Sequence, residues 1–160
     1  MYERERILSP HRSSPRPYGA YPRYIVVHCT ATAQDRLWAV VSWFLNPSSR
    51  VSAHAIIGPE GRVVRMVDDA DVAWHAGNWW YNMWSVGVEL VHPNTHGTPY
   101  PVQQKLALGD TCVEWCVLHG IQPENIIGHY DVLPGKKTDP VDLPLEQLRE
   151  YVRETIPTCE

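Results

Sequence analysis

Three residues able to hold a hydrolytic metal ion stand at or just beyond apolar runs in this sequence. His28 closes Tyr24-Ile25-Val26-Val27, His129 follows Ile126-Ile127-Gly128, and Asp139 lies in the loop Leu133-Pro134-Gly135-Lys136-Lys137-Thr138-Asp139-Pro140. Hydrolytic zinc takes three protein ligands from His, Asp, Glu or Cys and keeps a fourth position open, where it activates water near neutral pH and polarises a carbonyl. The spacing of the three is not a local zinc motif, and a histidine at a strand end is also commonly held by hydrogen bonds alone. Glu89 interrupts the apolar stretch Val86-Gly87-Val88-Glu89-Leu90-Val91. An acid there needs either a solvent-facing edge or a chemical task. His54, His75 and the tryptophans Trp74, Trp79, Trp80 and Trp84 occupy the middle of the chain. Tryptophan rings offer flat apolar faces to sugar or peptide, or they cover the core beneath a long loop.

The elements that must position these residues are readable from hydrophobic pattern. Tyr24 to Val27 reads as a buried strand ending at His28, and Leu37, Val40, Val41 and Phe44 recur at helical spacing until Asn46-Pro47. Ala55-Ile56-Ile57 and Arg62 to Val67 flank Gly58-Pro59-Glu60-Gly61 as a hairpin. A loop runs from about Asp68 to Trp84, and Val86 to Val91 is the next strand. Val102, Leu106, Val113, Cys116 and Val117 mark a helix face, Ile126-Ile127 a short strand, and Leu145 to Glu154 a closing helix. Strands alternating with helices predict a single α/β domain with a central mixed β-sheet and helices packed on its faces, where ligands collect at strand ends. Residues 1–20, with Pro10, Pro15 and Pro17, read as an extended N-terminal arm outside the core, and residues 21–160 as the one folded domain, which carries the candidate site.

With 160 residues the chain buries roughly 70% of its unfolded surface, so it needs no disulfide. The four cysteines at 29, 112, 116 and 159 read as reduced thiols, with Cys112 and Cys116 one helical turn apart and packed. A net charge of −4 with scattered basic residues excludes a nucleic-acid partner. The start of the chain lacks the apolar core of a secretory signal, and no run approaches the length of a membrane span. Synthesis in the cytoplasm, no stable membrane association and a monomeric state are the corresponding expectations.

The blocks Val26-Val27-His28-Cys29-Thr30-Ala31-Thr32, Ser52-Ala53-His54, Gly61, Trp74-His75-Ala76-Gly77, Ser85-Val86-Gly87-Val88-Glu89-Leu90 and Gly128-His129-Tyr130-Asp131 with Pro134 to Pro140 resemble, in order, the zinc-dependent N-acetylmuramoyl-L-alanine amidases. That family includes phage endolysins, anhydro-muropeptide amidases and peptidoglycan recognition proteins. The resemblance covers about residues 22–156 and implies an amidase/peptidoglycan recognition protein-like fold, Zn2+ as cofactor, and His28, His129 and Asp139 as its ligands. It implies Glu89 as general base and Lys137, two residues before Asp139, as the cation that stabilises the negative oxygen of the tetrahedral intermediate. Read without it, Lys137 is a solvated loop lysine like Lys136. His75, Trp74, Trp79, Trp80 and His54 are the candidate substrate contacts, although His54 could equally be structural. Some members carry a catalytic tyrosine just before the His of the second block. This chain has Ala53 there, which places more weight on Glu89.

The function expected from this resemblance is hydrolysis of the amide between N-acetylmuramic acid and L-alanine in peptidoglycan, in the setting of a phage or prophage endolysin that reaches the wall through a separate pore. The alternatives are a cytoplasmic amidase acting on soluble anhydro-muropeptides and a peptidoglycan-binding module that does not cut.

Overall fold

The computed structural model describes residues 4–34 and 36–157. Cys159 and the first three residues of the arm lie outside them. In chain order the elements are β1 (Arg4–Arg6), β2 (Arg12–Ser13), β3 (Tyr24–Cys29), α1 (Leu37–Leu45), β4 (Ala55–Ile57), β5 (Val63–Arg65), β6 (Val72–Ala73), α2 (Trp79–Trp84), β7 (Ser85–Leu90), α3 (Val102–His119), β8 (Ile126–Gly128), α4 (His129–Val132) and α5 (Leu145–Thr155). Six strands form one sheet in the order β1-β5-β4-β7-β3-β8, and β2 pairs with β6 apart from it. Within the large sheet only the β4–β5 hairpin is antiparallel, so the sheet is mixed.

Side-chain alternation along the central strands explains both the core and the site. Ile25, Val27 and Cys29 of β3, with Val86, Val88 and Leu90 of β7, face α3 and α5 and pack on Leu108, Cys112, Trp115, Leu145 and Val152. The intervening residues face the other side, where Ile56 and Val64 meet Leu37, Val40, Val41 and Phe44 of α1, and Val26 meets Ala76 and Val132. A parallel strand covered on both faces reads as a nearly unbroken apolar run. His28 and Glu89 belong to the second face, so the acid that breaks the β7 run lies on a central strand rather than an edge, half-buried.

Three expectations are corrected. The stretch from Asp68 to Trp84 is not all loop: it holds β6 and the short helix α2, whose N-terminus Asn78 caps by accepting a hydrogen bond from the Tyr81 amide. The helix α3 is present, but Val102, Leu106 and Val117 are exposed, and its inner face runs through Gln104, Leu108, Thr111, Cys112 and Trp115. Polar Gln104 is buried because its amide donates to the carbonyls of Ile57 and Val91 at the strand ends, a role that an apolar periodicity does not detect. The arm is extended but not separate from the core. Arg4–Arg6 pairs in parallel with β5, and Ser9 and His11 are buried.

Arg16 ties that arm down. Its guanidinium donates to the carbonyls of Asp69 (2.8 Å), Asn82 (3.2 Å), Met83 (2.5 Å) and Ser85 (2.8 Å), and burial lowers its pKa to about 10. Arg16→Ala strands these carbonyls and is expected to cost about 3 kcal/mol of stability, readable as a lower urea midpoint. A midpoint equal to that of the wild type would show that the arm adds nothing to the fold.

Candidate metal and catalytic site

Parallel register brings together residues far apart in sequence. Val27 of β3 pairs with Gly128 at the end of β8, so the next residues of the two segments, His28 on β3 and His129 at the start of α4, lie side by side, with ring centroids 4.3 Å apart. On its other side His28 pairs with Glu89 of β7. The loop after α4 returns Asp139 to the same point, where the Tyr130 amide donates to the Asp139 carbonyl. Asp139 Oδ2 lies 3.1 Å from His129 Nδ1 and 3.7 Å from His28 Nδ1, and it accepts a hydrogen bond from the Cys29 amide at 3.3 Å. One donor atom from each of the three residues falls within 4.8 Å of the others, and all three residues are buried.

The protons on these groups argue for a cation. The carbonyl of Ala76 lies 3.2 Å from His129 Nε2 and can only accept, so a neutral His129 carries its proton on Nε2 and leaves the Nδ1 lone pair facing Asp139. Burial lowers the His28 pKa to about 4, against the opposing pull of Asp139, so that ring is neutral near pH 7. Burial works to raise the Asp139 carboxyl, yet the imidazoles in contact with it outweigh that and hold it well below the usual carboxylate range. Neutral imidazole nitrogen and a carboxylate oxygen converging in a buried pocket are a donor set suited to zinc.

Glu89 is half-buried on the cleft beside this cluster, and its Oε2, which is buried, finds no hydrogen-bond partner among the described residues. Burial, together with the negative charge of Asp139 and against the positive charge of Lys137, raises its pKa to about 8. Lys137 lines the cleft with Glu89, His129 and Asp139, whereas Lys136 does not. The cleft has a volume of about 620 Å³. Cys29, also on its wall, is no nucleophile: burial pushes its thiol up to about 12, and it contacts the Tyr100 hydroxyl at 3.2 Å.

The candidate substrate contacts separate into two groups. Trp74 and His75 line the cleft, and Trp74 is braced by hydrogen bonds to Ser52 and Ser13. Trp79, Trp80 and His54 do not line it. Trp80 packs on Tyr24, Tyr81 and Trp84 near the N-terminal ends of β3 and β7, and Trp79 is half-exposed on the same short helix. His54 lies beneath His75, its Nδ1 accepting from the Gly87 amide at 3.0 Å. Sequence reading missed the part of the lining made by Arg36, Ala39, Trp43, Phe44 and Val51. The available signal was Trp43 itself, a large aromatic on the side of α1 that the core does not use, and it is 52% exposed.

A site of this make-up, at the carboxyl ends of parallel strands in an α/β sheet, defines a hydrolase suited to a bound metal ion. The chain belongs to the N-acetylmuramoyl-L-alanine amidase family, whose sequence pattern matches residues 18–142, and by family it is an enzyme of that class. Among curated relatives it is 30% identical to the 1,6-anhydro-N-acetylmuramyl-L-alanine amidase AmpD of Escherichia coli, over 84% of each chain. It is 29% identical to the N-acetylmuramoyl-L-alanine amidase AmiD of Escherichia coli, over 82% of this chain but only 54% of AmiD. The crystal structure of an AmpD derivative superposes with a TM-score of 0.77 at 26% identity, covering 94% of this chain and 95% of that one. AmiD in complex with the substrate anhydro-N-acetylmuramic acid-L-Ala-D-γ-Glu-L-Lys gives 0.66 at 26% identity, covering 88% and 65%. A mutant endolysin from Bacillus subtilis shares the fold, with a TM-score of 0.75 at 19% identity and coverage of 95% and 99%.

Proposed function

We propose that this chain is a zinc-dependent amidase that hydrolyses the bond between the lactyl carbonyl of N-acetylmuramic acid and L-alanine in peptidoglycan, in the setting of a phage or prophage endolysin. The observation that carries the reading is Glu89, whose buried Oε2 has no hydrogen-bond partner among the described residues, beside the converging His28, His129 and Asp139, with Lys137 on the same cleft. His28, His129 and Asp139 would hold the ion, which supplies Lewis acidity toward water and the carbonyl oxygen. Glu89 takes the proton of the attacking water as the carbon–oxygen bond forms. It returns that proton to the alanine nitrogen as the carbon–nitrogen bond breaks. A pKa near neutrality suits both transfers. Lys137, on the same cleft, supplies the ammonium that stabilises the negative charge growing on the former carbonyl oxygen.

Trp43 and Trp74, which both line the cleft, supply apolar surface for the sugar and peptide. Trp43→Ala is expected to raise KM about fivefold with kcat nearly unchanged, as for the loss of contacts made equally in ground and transition states. Steady-state kinetics on a soluble muropeptide read this directly. An unchanged KM removes Trp43 from the substrate site.

A second reading, hydrolysis of soluble anhydro-muropeptides, is favoured by the similarity to AmpD, a 1,6-anhydro-N-acetylmuramyl-L-alanine amidase, and to AmiD, whose complex holds an anhydro-N-acetylmuramic acid peptide. The test is release of new L-alanine amino groups from purified sacculi and from a soluble anhydro-muropeptide, each with chelator and with zinc added back. Chelator-sensitive release from sacculi supports the proposal, and release from the soluble compound alone moves the assignment to the second reading. No release from either by folded, zinc-loaded protein leaves a peptidoglycan-binding module.

A further inference from the structure

His75 lies on the cleft wall, yet its hydrogen bonds run away from the cleft and into the protein. We infer that His75 is a positioning residue which, through Ser85, sets the proton on His28 and so aims the His28 Nδ1 lone pair at the metal. The inference rests on the zinc reading of the site.

The argument follows one proton at a time. The Ser85 hydroxyl has two neighbours, the Tyr81 carbonyl at 2.5 Å and His75 Nε2 at 3.1 Å. A carbonyl can only accept, so the single hydroxyl proton goes to Tyr81 and the Ser85 oxygen accepts from His75 Nε2–H. His75 Nδ1 then carries a lone pair, and it lies 2.8 Å from His28 Nε2. His28 must donate there, which places its only proton on Nε2 and leaves Nδ1 bare toward Asp139. His129 reaches the same state by a shorter route through the Ala76 carbonyl. The two histidines of the cluster are thus oriented by different devices.

The surroundings hold His75 in this pose. Its amide and that of Ala76 both donate to Asn82 Oδ1, at 3.2 and 2.8 Å. The face of its ring lies against Gly87 of β7, where a β-carbon would come within 2.5 Å of the ring. A glycine at position 87 is therefore the condition for the ring to occupy the sheet face behind His28. A partner that orients a metal-binding histidine typically changes metal affinity by about 10- to 100-fold when removed.

Two substitutions at 75 separate the hydrogen bond from mere packing. His75→Phe keeps a ring without an acceptor, and His75→Asn keeps an acceptor oxygen near the Nδ1 position. Zinc affinity, measured by competition with a chromophoric chelator, is expected to fall about 10- to 100-fold in His75→Phe and to recover most of that loss in His75→Asn. Gly87→Ala, which displaces the ring without altering its chemistry, is expected to resemble His75→Phe. Long-range 1H–15N spectra of the metal-free wild type should show His28 protonated on Nε2, and those of His75→Phe a mixture of tautomers. Wild-type His28 protonated on Nδ1 overturns the relay. So does unchanged zinc affinity in His75→Phe, or equal loss in the Phe and Asn variants while both remain folded by circular dichroism. A KM change in His75→Phe with zinc affinity intact overturns it in favour of direct substrate contact. A wild-type chain that binds no zinc defeats the metal reading, and the tautomer spectra still decide the relay.

Discussion

Glu89→Gln is expected to lower kcat by about 10²- to 10⁴-fold, the usual worth of a positioned general base, while making the metal-free protein more stable at neutral pH. The two effects share one cause. The folded pKa of Glu89 is raised from 4.5 to about 8, first by burial and then by Asp139. A carboxyl with a raised folded pKa favours the fold below its unfolded pKa, and that contribution is lost as the pH rises toward the folded value. At pH 7 each pH unit above the unfolded pKa costs about 1.4 kcal/mol, which makes the penalty roughly 3 kcal/mol. Glutamine pays nothing of this kind, so variant and wild type should have similar urea midpoints at pH 4 and diverge between pH 4.5 and 8, with the variant more stable. Wild-type turnover in the variant removes Glu89 from the chemistry. A midpoint difference that does not change with pH shows that Glu89 is not held protonated in the fold.

His129→Ala is expected to lose zinc affinity by about 10³-fold or more and to bring amidase turnover to background. The ring contributes one of three converging donor atoms and also fills the space beside His28. Metal that binds only the folded state raises the melting temperature, with a stabilisation that grows as the logarithm of ligand excess over its dissociation constant. Zinc should therefore raise the melting temperature of the wild type and of Glu89→Gln and leave that of His129→Ala where it was. Chelation of the wild type should reproduce the inactive, unshifted state, and zinc should restore it. A zinc-dependent shift surviving in His129→Ala would remove this residue from the ligand set.

These two variants also show how far the sequence carries. Glu89 was noticeable because an acid broke an apolar run, and the run itself identified a covered parallel strand. His28 and His129 were noticeable because each closes or follows such a run. The hairpin, α1 and the closing helix α5 follow from pattern and turn chemistry, since these are properties of neighbouring residues. The inner face of α3 did not follow. Gln104 is buried there to satisfy two strand-end carbonyls, and Val102 and Leu106 are left outside, an arrangement set by the sheet that the helix covers.

The sequence by itself determined the alternation of strands and helices, the family and the identity of the residues able to bind a metal or move a proton. These depend on local periodicity and on the order of short motifs. Only the tertiary structure decided which groups meet. Register between parallel strands sets His28 against His129 and Glu89, and the absence of a β-carbon at Gly87 admits His75 behind them. Packing of α1 across the sheet brings Trp43 to the cleft and leaves Trp79 and Trp80 away from it. Arg16 secures the arm through carbonyls more than fifty residues away, and backbone oxygens carry no mark in a sequence. Such contacts are made between distant segments whose registry is fixed only when the core closes.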